Sequence, residues 1–166
     1  NAGVSVTTGT QNTLVGGLAG DAITTGTTNT AVGYAALSEN TTASHNTALG
    51  WAALNSNTTG DLNTAVGYGA MQTNVLGDRA VAVGVGALGT QNQATRIDTY
   101  NVGLGYSAGN AVTTGQSNTL IGGNAGDALT DSDFNTAVGM GALSSDTLGA
   151  ESTAIGYLAL NAANST

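Results

Sequence analysis

The sequence predicts an all-β protein, a parallel β-solenoid or β-roll of about nine 17-residue coils. Two observations favour this fold class. A glycine recurs at a fixed spacing, and each copy has an aliphatic residue just before it and an alanine three residues after it. A fixed period near 20 residues is typical of solenoids, in which each unit buries its apolar side against its neighbours.

The recurring glycine, here called the anchor glycine, defines the copies. Successive anchors are 17 residues apart, except for one spacing of 21, which places a four-residue insertion within 89–100. We interpret 1–166 as a single repeat domain, and as a fragment of a longer chain because it begins at Asn1 without a signal-like segment. The anchors are Gly16, Gly33, Gly50, Gly67, Gly84, Gly105, Gly122, Gly139 and Gly156.

Within each copy the pattern predicts short strands closed by polar turns. Gly, Thr, Asn and Val disfavour a helix, and no 3.6-residue apolar period is present. Counted from the anchor, positions −3, −1 and +1 share one strand face, and position −1 is always aliphatic. We therefore expect side chains such as Val32 to fill the coil, and the opposite, Ala/Gly face to allow close approach of another chain.

Two further rows are expected to stack from coil to coil. Asn recurs at position −4, which predicts a ladder of side-chain amides. Thr recurs at position −3, on the face assigned to the core, so we expect it to be covered; an exposed Thr row would instead favour an ice-binding solenoid. Most copies place Leu or Met at +4, whereas three place Gly there and an aliphatic residue at +7, which we interpret as structural substitutions.

Composition restricts the partners. A net charge of −8 with only two cations, Arg79 and Arg96, argues against nucleic acid and against anionic membrane surfaces. No apolar run is long enough to span a bilayer. Each coil supplies only a few large apolar groups, so we expect self-association, with three chains the favoured number.

No residue pattern predicts catalysis, and we expect no enzyme activity and no cofactor. His45, the single His, lies in a polar turn with no nucleophile at a recognisable spacing. Asp131 and Asp133 are the candidates for a calcium site, with a solvated turn as the favoured interpretation. The motifs at 16–22 and 122–128 are similar to a calcium-binding β-roll motif, but their period is 17 where that motif requires nine.

The insertion supplies the candidate receptor contact. It brings Arg96, Asp98 and Tyr100 onto a rod that is otherwise poor in cations, and added loops on solenoids often lie on a binding face. The alternative is a tolerated surface insertion. A row of aromatic residues at +1, which includes Trp51, is a second candidate for sugar binding, although packing inside the coil or between subunits is favoured.

The unit NTAxGxxAL, followed by a turn such as NTTG, resembles the repeats of bacteriophage tail-fibre-domain proteins. The segment NTALGWAALNSNTTGDL at 46–62 matches over a full period. STAIG at 152–156 has a looser similarity to the β-roll heads of trimeric autotransporter adhesins. These resemblances imply an elongated homotrimer that serves attachment, located in a virion tail fibre or at a cell surface.

The sequence thus favours a structural segment of an attachment fibre. Its expected partners are further copies of itself, other fibre or tail proteins, and a host surface glycan or protein, without membrane insertion. The alternatives are a trimeric cell-surface adhesin that binds a glycan directly and, third, an ice-binding solenoid.

Overall fold

The computed structural model describes residues 1–147 and 149–161, and over these residues the chain is a parallel β-solenoid without a helix. Nine strands form one parallel sheet in the order β1-β2-β3-β4-β6-β8-β9-β10-β11, and β5 pairs with β7. Nine stacked strands leave eight intervals, so the solenoid has about eight complete turns where about nine coils were expected. The strands are β1 (Thr13–Val15), β2 (Thr30–Val32), β3 (Thr47–Leu49), β4 (Thr64–Val66), β5 (Gly77–Asp78), β6 (Val81–Val83), β7 (Ile97–Asp98), β8 (Val102–Leu104), β9 (Thr119–Ile121), β10 (Thr136–Val138) and β11 (Thr153–Ile155).

Strand register follows the sequence repeat. Thr30 pairs with Thr47, and the next two residues of β2 pair with the next two of β3 in the same way. The main sheet continues through the insertion, because Val81 pairs with Val102. The inserted residues are taken up before β8, where Asp98 of β7 pairs with Asp78 of β5. Every coil therefore presents the same positions to its neighbours.

The anchor glycines are required by backbone geometry. Their φ angles lie between 124° and 138°, a region that residues with a Cβ rarely adopt. A Cβ on Gly33 would also lie 2.4 Å from the carbonyl oxygen of Gly50, the anchor of the next coil. Strain and backbone contact together explain why no other residue type occupies the anchor position.

The core is on the opposite strand face from the one expected. Position −2, usually alanine, is fully buried in most coils, as are alanine at +3 and Leu or Met at +4. The −1 side chains point outward: Val32 is 37% exposed, and Val15 and Ile155 are more exposed still. The interpretation that Val32 fills the coil and that the Ala/Gly face meets another chain was wrong.

The physical reason is lack of room inside the coil. A Cβ built on Gly103, which occupies position −2 of its coil, would lie 2.9 Å from Cγ of Leu88. Leu88 is the +4 residue of the preceding coil, so the +4 side chains fill the interior directly against the −2 positions. With that volume occupied, most −2 positions hold alanine and the larger aliphatic residues lie outside.

The expected amide ladder is present and buried. Asn29 Oδ1 accepts a hydrogen bond of 3.0 Å from the Asn46 backbone amide, and Asn46 Oδ1 accepts one of 2.9 Å from that of Asn63. The Asn46 side-chain amide donates to the Gly60 carbonyl at 2.9 Å. Each asparagine thereby satisfies backbone groups that no strand pairing reaches, which lets a narrow coil bury polar backbone at low cost.

Coils of the two types exchange core volume as the sequence predicted. Where +4 is Gly, the aliphatic residue at +7 is fully buried, as for Ile23, Val112 and Leu129. In three of the other coils +7 is a buried asparagine, such as Asn57, whose side-chain amide donates to the Gly60 carbonyl at 2.9 Å. Position +7 is thus apolar or hydrogen-bonded according to whether +4 supplies the core.

Candidate functional site: an ion-pair cluster and an exposed apolar strip

The insertion brings two of the three candidate receptor residues against acidic residues of earlier coils. Arg96 Nε lies 2.9 Å from Asp78 Oδ2, and Arg96 Nη2 also pairs with Asp61. Asp78 belongs to the preceding coil and Asp61 to the coil before that. Arg96 therefore connects three successive coils, a role that the sequence analysis missed.

The two aspartates are fixed before Arg96 reaches them. Asp61 Oδ1 accepts the Ser44 backbone amide at 2.7 Å, and Asp78 Oδ1 accepts the Asp61 backbone amide at 2.7 Å. Each carboxylate thus uses one oxygen for the backbone of the preceding coil and the other for Arg96. These hydrogen bonds to Asp78 and Asp61 raise the pKa of Arg96 above its ordinary value.

A second pair lies beside the first. Arg79 Nε is 2.8 Å from Asp98 Oδ1, and the Tyr100 hydroxyl donates to Asp98 Oδ2 at 2.9 Å. The bond from Tyr100 and the charge of Arg79 hold the pKa of Asp98 below its ordinary value. Both cations of the chain are thus ion-paired, and the surface of this cluster is exposed.

The inner side of the insertion repairs the amide ladder. Ala80 occupies the −4 position where most other coils have asparagine. Here the buried Gln91 accepts a hydrogen bond of 2.9 Å from the Asn101 side-chain amide and donates one of 3.3 Å to Asn74 Oδ1. The insertion is therefore built into the solenoid on one side and paired with earlier coils on the other.

The calcium candidates do not share a ligand geometry. Asp133 Oδ1 accepts the Gln116 backbone amide at 2.7 Å, the same bond that Asp61 and Asp78 make in their coils. Asp131 is exposed and accepts the Thr130 hydroxyl at 3.0 Å. Among residues 1–147 and 149–161, no group of three or more His, Cys, Asp or Glu side chains is arranged to hold a metal ion. His45 lies in an exposed turn.

The outward face of the nine-stranded sheet carries a continuous apolar strip. We define the strip as positions −3, −1 and +1 of the nine coils, and the part contributed by one coil as a rung. None of its side chains is charged. Position −1 is half-buried or exposed throughout, and every side chain larger than glycine at +1 is exposed. The +1 residues are Gly17, Tyr34, Trp51, Tyr68, Val85, Tyr106, Gly123, Met140 and Tyr157.

Three aromatic rings of the strip stack on one another. Tyr34 and Trp51 have ring centroids 6.4 Å apart, and Trp51 and Tyr68 are 4.8 Å apart, with interplanar angles of 17° and 9°. The rings use their faces for each other and leave mainly edges to solvent. This geometry does not favour the stacking of a sugar on a free aromatic face.

The Thr row at −3 lies on the same outward face. Its members are half-buried, or exposed in the cases of Thr13 and Thr153, so the expectation that the row is covered by the core was wrong. The cause is the same inversion of faces that exposes Val32 and its equivalents.

One carboxylate in a later coil is poorly accommodated. Asp127 Oδ1 is shielded from solvent and has no hydrogen-bond partner among the described residues. Burial raises the pKa of Asp127. Asparagine at the equivalent +5 position donates to a carbonyl of the preceding coil, as Asn110 does to Gly86 at 2.8 Å.

Comparison with known proteins adds no relative. The chain matches no protein-family model, no curated protein and no solved structure.

The described residues also contain no helix long and apolar enough to cross a membrane.

Proposed function

We propose that this chain is a structural segment of an attachment fibre, of a phage tail or a similar cell-surface fibre, and that it works as a rod in a homotrimer. One observation carries the proposal. Each coil bonds to the next through the same backbone and asparagine hydrogen bonds, repeated at an offset of 17 residues. A regular ladder of this kind supports a rod whose length is set by the number of coils.

Host attachment and the location in a virion or at a cell surface rest on the resemblance of the repeats. A rod serves such a fibre by holding a receptor-binding element away from the particle. The uncharged strip supports association between copies, because a large exposed apolar surface marks an interaction site.

The rod is tested by removing whole coils from the fibre that carries this segment. Deletion of 34–67, two complete repeats, is expected to shorten the fibre by about 10 Å in electron micrographs, at one strand spacing per coil. Cell attachment should keep its specificity. Loss of attachment with a folded, shortened fibre would contradict a purely structural role.

Direct receptor contact through the insertion is the second candidate, supported by the exposure of its outer residues. Tyr100 is 55% exposed and occupies position −5 of its coil, as does Phe134, which is 60% exposed. Tyr100→Ala should reduce attachment if the insertion binds the receptor, whereas the matched variant Phe134→Ala should not. Equal attachment by both variants would count against this candidate.

Ice binding is the third candidate, and the outward Thr row is the observation in its favour. Large aromatic side chains beside the row make the surface uneven, which disfavours contact with a flat crystal face. Thermal hysteresis of the purified chain tests it, and an ordinary freezing point would exclude it.

A further inference from the structure

We propose that the apolar strip is the surface through which copies of this chain pack side by side, with their long axes aligned. The occupant of the strip is a second copy of the same chain. The inference deepens the proposed fibre and rests on it for the number of copies, while the contact itself is tested separately.

The area of the strip is sufficient for a stable contact. Eight strand spacings give a length of about 38 Å, and four residue steps along each rung give a width of about 13 Å. Each copy thus offers about 500 Å² before the relief of its side chains is counted, and two copies together reach the roughly 1,000 Å² that a specific interface needs.

Charge favours the strip over the rest of the surface. The chain carries a net charge of −8, so most approaches between two copies bring carboxylates together. The strip has no charged side chain, so packing there leaves no unpaired charge in the interface.

The repeat favours a second copy over an unrelated partner. Rungs recur at one strand spacing along the sheet, and another copy has rungs at the same spacing. Two aligned copies can therefore make the same contact at every rung. A partner without this repeat matches only a few rungs.

The strip also contains a gap that permits a gain-of-function test. Gly123 replaces the large +1 residue of its rung, between Tyr106 and Met140 in the neighbouring rungs. A Cβ on Gly123 would meet no atom within 4 Å, and its φ lies outside the region that favours glycine. A tyrosine fits here as Trp51 fits between Tyr34 and Tyr68.

The experiment measures mass by sedimentation velocity over a range of concentrations. The strip variant Val85→Lys/Met140→Lys alters residues that are 46% and 61% exposed, and its control Leu62→Lys/Phe134→Lys alters residues that are 43% and 60% exposed off the strip. We expect the wild type and the control to sediment as the same oligomer, and association of the strip variant to weaken at least ~10-fold. Gly123→Tyr should strengthen association.

A second readout needs no variant. Trp51 is the single tryptophan, lies on the strip and is 44% exposed in one chain. Its quenching by acrylamide should fall as concentration rises through the association range. A monomeric wild type, equal masses for the strip variant and its control, or quenching of Trp51 that does not change with concentration would overturn the proposal. None of these results alters the fibre-shortening test, so the two proposals fail separately.

Discussion

Anchor glycines and gap glycines have opposite sensitivities to substitution. A Cβ on Gly67, whose φ is 134°, would lie 2.5 Å from the Gly84 carbonyl oxygen. Gly67→Ala is therefore expected to lower the free energy of unfolding by at least about 3 kcal/mol in urea titrations followed by circular dichroism. Gly123→Ala, with open space around its Cβ, should change it by less than about 1 kcal/mol. Similar losses for both variants would contradict the assignment.

Asp127 is expected to be improved by the residue found at the equivalent position elsewhere. Asp127→Asn removes a partly buried charge and supplies a donor for the preceding coil, as Asn55 and Asn110 do. We expect the free energy of unfolding at pH 7 to rise by about 1 kcal/mol. An unchanged or lower stability would show that Asp127 has a partner that this interpretation omits.

The gain from Asp127→Asn should depend on pH. Burial raises the pKa of the folded Asp127 carboxyl, so its charge destabilises the fold above that pKa and the penalty is relieved as pH falls through it. The difference between variant and wild type should therefore shrink as pH is lowered from 7 toward 4. A constant difference would indicate that only the new hydrogen bond matters.

At the scale of one coil, the buried asparagine is the element that makes a narrow core tolerable. Asn46→Ala leaves the Asn63 amide without its acceptor and removes a donor to Gly60. We expect a loss of about 2 to 3 kcal/mol in the free energy of unfolding. Asn92→Ala, at an exposed position outside the ladder, is the control and should be nearly neutral. Equal effects would mean that the ladder is decorative.

The insertion is expected to loosen in acid. Tyr100 and Arg79 lower the pKa of Asp98, so the ionised carboxylate stabilises the folded insertion above the ordinary Asp pKa of about 4, and this is lost as pH falls through the lowered value. Hydrogen exchange over 90–100, corrected for intrinsic rates, should show reduced protection below about pH 4. Asp98→Asn should remove this pH dependence, and its persistence would assign it to another group.

Sequence predicted where the insertion lies but not what it touches. The odd spacing of 21 residues is visible in the letters, as are Arg96, Asp98 and Tyr100. The pairing of Arg96 with Asp61 joins residues 35 positions apart, and it exists only because two stacked coils bring them to the same corner. The equivalence of Asp61, Asp78 and Asp133 within the repeat was available as a signal, since all three fall six residues before an anchor.

For the whole molecule, the repeat predicted the architecture, and hydrophobicity predicted the wrong inner face. Counting by twos separates Thr30 and Val32 from Ala31 correctly, but with strands of three residues it does not say which set is inside. The usual assumption that larger aliphatic residues are buried failed because side chains such as Leu37 already occupy the interior. Residues that looked like core became the strip, and residues that looked like a contact surface became core.

The ion-pair cluster has a consequence for how such a gene changes length. Recombination between two similar repeats adds or removes a whole coil and leaves the surroundings of the remaining coils unaltered. The stretch from Asp61 to Asp98 is the exception, because Arg96 needs the aspartates of both preceding coils. We expect this stretch to be inherited as one block, while the coils on either side vary in number.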